Sequence, residues 1–248
     1  MSTFLNIDCG GETVTIERTD DGNFIFHGWD EETELASVEL GFEPSLCLIV
    51  WYAINENTLD AELRDQIRKG NALLVEALIF VGASVNAENS YTLSPLHVAA
   101  IRGSTDVVKI LLEAGAGVED LSNNSWTPLH YAAAYGNADV VKILLEAGAS
   151  VYVSTEHGNT PLHQAATYGH CDVVKILLEA GSGVDANDEE AWTPLHAAAA
   201  EGDADVVKLL LEAGSSVYAR TRDGQTPLGI ATVEVAEILE DWIREHDE

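Results

Sequence analysis

The sequence predicts a mainly α fold: a solenoid of six stacked helix pairs, the first degenerate and the last truncated, preceded by a small α+β segment. Three observations lead there. A four-residue phrase returns at a fixed spacing of 33, as Ser94-Pro95-Leu96-His97, Thr127-Pro128-Leu129-His130, Thr160-Pro161-Leu162-His163, Thr193-Pro194-Leu195-His196 and, without its histidine, Thr226-Pro227-Leu228-Gly229. Each full copy is followed by an alanine pair, a glycine and an Asp-Val-Val-Lys run that starts at 106, 139, 172 or 205. Within a copy, the order of capping, apolar and turn residues spells helix, turn, helix. A fixed period of this length marks a stack of identical units, none of which buries its apolar face alone.

Residues 1–57 do not share the period. Thr13–Glu17 and Asn23–His27 alternate apolar and polar residues around Asp20-Asp21-Gly22, which predicts a hairpin. Asp30–Leu40 reads as a short acidic helix, broken by Gly41 and Pro44. The nine apolar residues Leu46–Ile54 read as a further helix, although a buried strand has the same look at this length. The segment is expected to form its own unit, 1–57, that caps the open end of the array with Leu46, Ile49, Trp51 and Tyr52. The alternative is a separate binding module displaying Phe24 and Trp29.

The repeat region is expected over 58–248. Its first unit lacks the four-residue phrase, yet Leu63, Gly70 and Gly82 lie 33 residues before Leu96, Gly103 and Gly115, so the register holds. In a full unit, Thr127–Tyr135 predicts one short helix. Thr127 supplies a capping oxygen, Pro128 sits where a missing N–H costs nothing, and Gly136 permits the turn that ends it. Asp139–Gly148 predicts the second helix, with a C-terminal glycine, whose apolar residues Val140, Val141, Ile143, Leu144 and Leu145 cover more than one face and pack on both neighbours. Ala149–Asn159 is the extended loop to the next unit. In the last unit Leu228 to Val235 spans seven residues where Leu195 to Val206 spans eleven, so the array ends in a trimmed repeat and an acidic closing helix.

The phrase, the period and the inter-helix glycine together resemble the ankyrin repeat family over about 60–248. That resemblance implies a non-enzymatic scaffold for protein–protein interaction. It also implies that the four histidines tie each turn to the neighbouring repeat. Partners would meet the loop tips and the exposed side of the first helix, the concave surface. On this chain those positions are Tyr91, Leu93, Ile101 and Arg102 in the second repeat, and Asn123, Asn124, Trp126 and Tyr135 in the third. The fourth has Glu156, His157, Asn159 and Tyr168, and the fifth Glu189, Glu190, Trp192 and Glu201. Aromatics framed by carboxylates suit a basic, partly apolar segment. Trp126 and Trp192 have a second reading, in which they fold back onto their own neighbours.

Charge narrows the partner classes. The chain carries 42 acidic and 12 basic residues, a net charge of −30, with 12 acids and one base in residues 1–58. Phosphate backbones are repelled by such a surface, so nucleic acid is excluded, and a basic protein is favoured. A saline habitat or plain solubility would explain the charge as well. Three cysteines at unrelated spacings give no disulfide framework, and neither a secretory signal nor an apolar run of membrane-spanning length is visible. The expectation is a cytoplasmic monomer.

No catalytic constellation is present. The histidines 97, 130, 163 and 196 sit one repeat apart, roughly 8–10 Å in a helix stack, too far to share a zinc ion whose ligands lie about 2 Å away. Gly181-Ser-Gly-Val-Asp-Ala186 matches a dinucleotide phrase but follows a helix, not a strand. No cofactor, metal or catalytic residue is expected. His170 and Cys171 read as incidental turn residues. Lys109, Lys142, Lys175 and Lys208 read as a solvated row, each paired weakly with the glutamate four residues later. A second function stays open: a neutralising or nucleic-acid-mimicking inhibitor of a basic protein. An enzyme confined to residues 1–57 is the third class.

Overall fold

The computed structural model describes residues 58–80, 82–87 and 93–246 with their side chains, and the backbone of four strands before them. The chain divides into two compact units, Met1–Ser84 and Val85–Glu248.

In the first unit, β1 (Thr3–Cys9), β2 (Glu12–Arg18), β3 (Phe24–Asp30) and β4 (Thr33–Leu40) form an antiparallel sheet in sequence order. β2 and β3 pair across the expected hairpin, with Ile16 opposite Phe26. β4 corrects the acidic helix expected over 30–40. Phe24 pairs with Leu40 and Phe26 with Val38, so a neighbouring strand, absent from any local reading, decides the backbone there. The expected helix 46–54 lies outside the described residues.

The same unit contains the degenerate repeat, α1 (Leu59–Lys69) and α2 (Ala72–Phe80). Gly70 takes φ 70°, and the N–H groups of Gly70 and Asn71 close onto the carbonyls of Ile67 and Gln66. Leu63, Ile67, Leu74, Val75 and Leu78 are fully buried. Asp60 accepts the Ser84 N–H at 2.7 Å, which fastens the start of α1 to the end of α2.

The second unit stacks the remaining pairs: α3 (Pro95–Arg102) with α4 (Thr105–Glu113), α5 (Pro128–Ala134) with α6 (Ala138–Glu146), and α7 (Pro161–Thr167) with α8 (Cys171–Glu179). Then come α9 (Pro194–Glu201) with α10 (Ala204–Glu212), and the trimmed α11 (Pro227–Ile230) with α12 (Val233–His246). Among the described residues this makes a mainly helical repeat fold. Each unit repeats one core of Leu96/129/162/195, the alanines that follow and the Val-Val pair of the second helix, all close to fully buried.

One side chain per repeat joins the units. His130 sits three residues into α5, where its Nδ1 accepts the N–H of the capping Thr127 at 3.2 Å. Its Nε2 donates to the carbonyl of Asn159, in the next repeat, at 3.0 Å. A carbonyl only accepts, so the ring is the neutral Nε2–H tautomer, with its other nitrogen filled by the cap. His97, His163 and His196 do the same, reaching the carbonyls of Trp126, Trp192 and Gln225. All four rings are buried. Desolvation of the charged form pushes His130 down to about 4 and lowers His163 and His196 as well.

His170 is not incidental. Its Nε2 donates to the carbonyl of Ala134, the last residue of α5, at 2.9 Å. One repeat earlier Asn137 donates to the carbonyls of Ala100 and Ile101. Both side chains satisfy carbonyls that a helix end leaves orphaned. The lysine row also differs from expectation. Lys142 and Lys208 lie nearest Asp139 and Asp205, at 3.7 and 4.0 Å, three residues earlier, and no pair with the following glutamate forms among the described residues. Helical side chains lean toward the N-terminus, which brings the preceding aspartate within reach.

Candidate partner-binding face

The extended loops fold into hairpin tips that end where the next first helix begins. Ser122 donates its N–H to the Trp126 carbonyl, and Thr155, Asp188 and Thr221 repeat this bond to Asn159, Trp192 and Gln225, at 2.9–3.0 Å. The fourth residue of each tip turns through positive φ. It is Gly158 and Gly224 in two tips but Ser125 (57°) and Ala191 (59°) in the others. Neighbouring tips pair: Glu189 N–H donates to the His157 carbonyl, and Arg222 N–H to the Glu190 carbonyl. The carboxylates and imidazole at the tips are thus held on a bonded backbone.

Three rows of expected site residues follow from this geometry. At the tips, Asn123, Asn124, Glu156, His157, Glu189 and Glu190 are exposed. The His157 ring lies between Glu156 (3.5 Å) and Glu189 (3.8 Å), and Arg222 lies 3.6 Å from Glu190. These pairs are open to water and hold little energy. Where the tip meets the helix, Leu93, Trp126, Asn159 and Trp192 are half-buried. The carbonyls of the last three are the histidine acceptors, which fixes their backbone and leaves the side chain free to vary. At the far end of the first helix, Arg102, Tyr135, Tyr168 and Glu201 are exposed, and Ile101 beside them is half-buried. Tyr91 lies outside the described residues.

The two tryptophans fall between their two readings. Trp126 packs against Tyr131 at 4.9 Å between ring centres and against His130 at 6.0 Å, and Trp192 against His196 at 6.0 Å. Each is braced by its own repeat and keeps part of its ring open. Tyr135 and Tyr168 are 57% exposed, enough to separate them from the core.

Tyr131 is the residue that sequence reasoning missed. It completes a three-ring patch with Trp126 and the edge of His97, 5.5 Å away, and its hydroxyl donates to Ser122. Its signal was variation: the position after the histidine reads Val98, Tyr131, Gln164 and Ala197, whereas core positions stay constant. Along the array the face therefore changes character, from a cation at Arg102, through the aromatics of the third and fourth repeats, to carboxylates at Glu189, Glu190 and Glu201.

Both nitrogens of each ladder histidine are engaged in hydrogen bonds, and no cluster of three or more metal-ligating side chains occurs among the described residues. Burial, followed by the carboxylates of Asp203 and Asp205, pushes the Cys171 thiol up, away from the thiolate. No described helix is long and apolar enough to cross a membrane.

No curated protein matches the chain. The family model for ankyrin repeats matches in three overlapping copies, over residues 64–155, 124–188 and 162–241. Its span runs from within the degenerate repeat into the closing helix of the trimmed one, and the chain belongs to the ankyrin repeat family.

Proposed function

We propose that the chain is a non-enzymatic, monomeric, cytoplasmic scaffold that binds a basic partner protein on its concave face. Ankyrin repeats generally serve protein–protein interaction. The observation that carries the finer reading is the juxtaposition of exposed aromatics and exposed carboxylates. Tyr135 and Tyr168 stand one repeat apart, and Glu156, Glu189, Glu190 and Glu201 lie on the tips and helix end beyond them. A segment with an apolar residue for the tyrosines and Lys or Arg for the carboxylates would bury the first and pair the second.

Affinity purification followed by titration of the purified partner tests this. Tyr135→Ala and Tyr168→Ala should each weaken binding, at least one by about 2 kcal/mol, while stability moves by roughly 0.5 kcal/mol or less because both rings are largely in water. Affinity should fall as salt rises. Normal binding by both variants would refute the assignment of this face. The net charge of −30 also suits a neutraliser of a basic protein. Loss of the partner's own activity in the complex would select that reading, and retention selects the scaffold.

A further inference from the structure

One row of the expected face runs through four repeats without a break in spacing. Arg102, Tyr135, Tyr168 and Glu201 stand 33 residues apart, each at the C-terminal end of a first helix, and all four are exposed. Core positions of the same helices keep their residue type, whereas this row reads cation, aromatic, aromatic, anion. Both end charges are open to a ligand. Among the described residues Arg102 and Glu201 form no ion pair, although the chain holds 42 acids for its 12 bases. Tyr168 is braced by His170, whose ring stacks on it with centres 6.4 Å apart and is itself bonded to the Ala134 carbonyl.

Successive first helices pack directly on one another, which sets the row step at roughly 8–10 Å. That step selects the backbone of a ligand lying along it. Side chains on one face of a β-strand recur at about 6.6 and 13 Å, which fall on either side of it. Two turns of an α-helix overshoot, at about 10.8 Å. A polyproline II segment brings every third side chain to one edge at about 9.3 Å. Grooves lined by aromatic rings also suit proline-rich segments in this conformation. We infer, resting on the partner-binding reading of this face, that the row takes a polyproline II segment of the partner. At every third position the segment carries an acid for Arg102, prolines for Tyr135 and Tyr168, and a base for Glu201. The two ends of the row lie about 24–30 Å apart, well beyond the screening length of about 8 Å at physiological ionic strength. Each end of the segment therefore answers to its own residue and not to the net charge of the chain.

The probes are labelled peptides with blocked ends, titrated against the full chain by fluorescence anisotropy at physiological salt. The first has eight prolines between an Asp and a Lys, which places the two charges three turns apart on one edge. The second has Lys in place of the Asp. The third lacks one proline, which turns one charge off the edge. The first should bind about fivefold more tightly than each of the others, the upper worth of one exposed ion pair. Arg102→Glu should reverse the order of the first two, and Tyr135→Ala should weaken both. Equal or tighter binding of the doubly basic peptide by the parent chain, indifference to the missing proline, or no binding at millimolar peptide would each overturn the inference. The basic-partner reading is checked separately, with the partner itself. It stands where Tyr135→Ala or Tyr168→Ala weakens the partner while the peptides fail, and only the polyproline assignment then falls.

Discussion

Acid should unfasten this array through its histidines before it does so through its carboxylates. His130 protonates at about 4 in the folded chain against its ordinary 6.5, so between those values the unfolded chain binds more protons than the folded one. Its contribution is complete above pH 6.5 and is lost as pH falls toward 4. At about 1.4 kcal/mol per pH unit that is about 3 kcal/mol for one ring. His163 and His196, also lowered, add to it in the same direction. The main cause is burial, which desolvates the charged ring; Nδ1 also accepts the Thr127 N–H, so a proton placed there faces a donor and the cap must open. Carboxylates titrate near the lower end of the same window, so the measurement is a difference. Denaturant unfolding of the parent chain and of His130→Gln is compared at pH 7, 6 and 5. The parent should lose stability more steeply, by up to about 1.4 kcal/mol per pH unit. Histidine titration followed by NMR is the direct check. A folded-state His130 that titrates near 6.5, or parallel slopes for the two proteins, refutes the reasoning.

Other substitutions test finer points. Ser182 places a hydroxyl in the core, where Ala83, Ala116 and Ala149 stand in earlier repeats, and its Oγ has no hydrogen-bond partner among the described residues. Ser182→Ala should stabilise by about 1 kcal/mol in denaturant melts, and any destabilisation would mean the hydroxyl is bonded after all. Ala191 holds φ 59° at a tip where Gly158 and Gly224 serve elsewhere. Left-handed backbone costs a residue with a Cβ about 1–2 kcal/mol, and glycine loses roughly 0.5–1 kcal/mol to entropy. Ala191→Gly should therefore gain about 0.5 kcal/mol, and a clear loss of stability would show that the alanine methyl packs.

The sequence carried the repeat fold in full because each unit is built from local rules. Thr127, Pro128 and Gly136 set the first helix without help from distant residues, and the Val140-Val141 pair announces the second. What it could not carry depends on partners that spacing does not name. β4 is a strand because β3 lies beside it, and an acidic stretch with spaced leucines gave no hint of that neighbour. Lys142 has candidate partners on both sides, and only the lean of helical side chains selects Asp139. His170 was legible in principle. Asn137 and Asp203 hold the same place in adjacent repeats, and all three are residues able to satisfy backbone groups at helix ends. The face was half legible. Tyr135 and Tyr168 stand in the open as expected, whereas the depth of Trp126 depends on Tyr131, which shows only when variation is sought beside the histidine as well as at the tips.

The histidine ladder has a direction. Each of the four full units carries a plug, the imidazole Nε2–H, and a socket, the carbonyl just before its Ser or Thr, and the plug of one fits the socket of the next. A copy of any internal unit therefore arrives with both fittings, so the array can lengthen by duplication of whole units with no new joint to invent. A deletion that is not a multiple of 33 separates plug from socket at a buried site. The trimmed unit keeps the socket at Gln225 and has Gly229 where the plug would be. In the currency of joinery, growth is open between units and closed at the trimmed one.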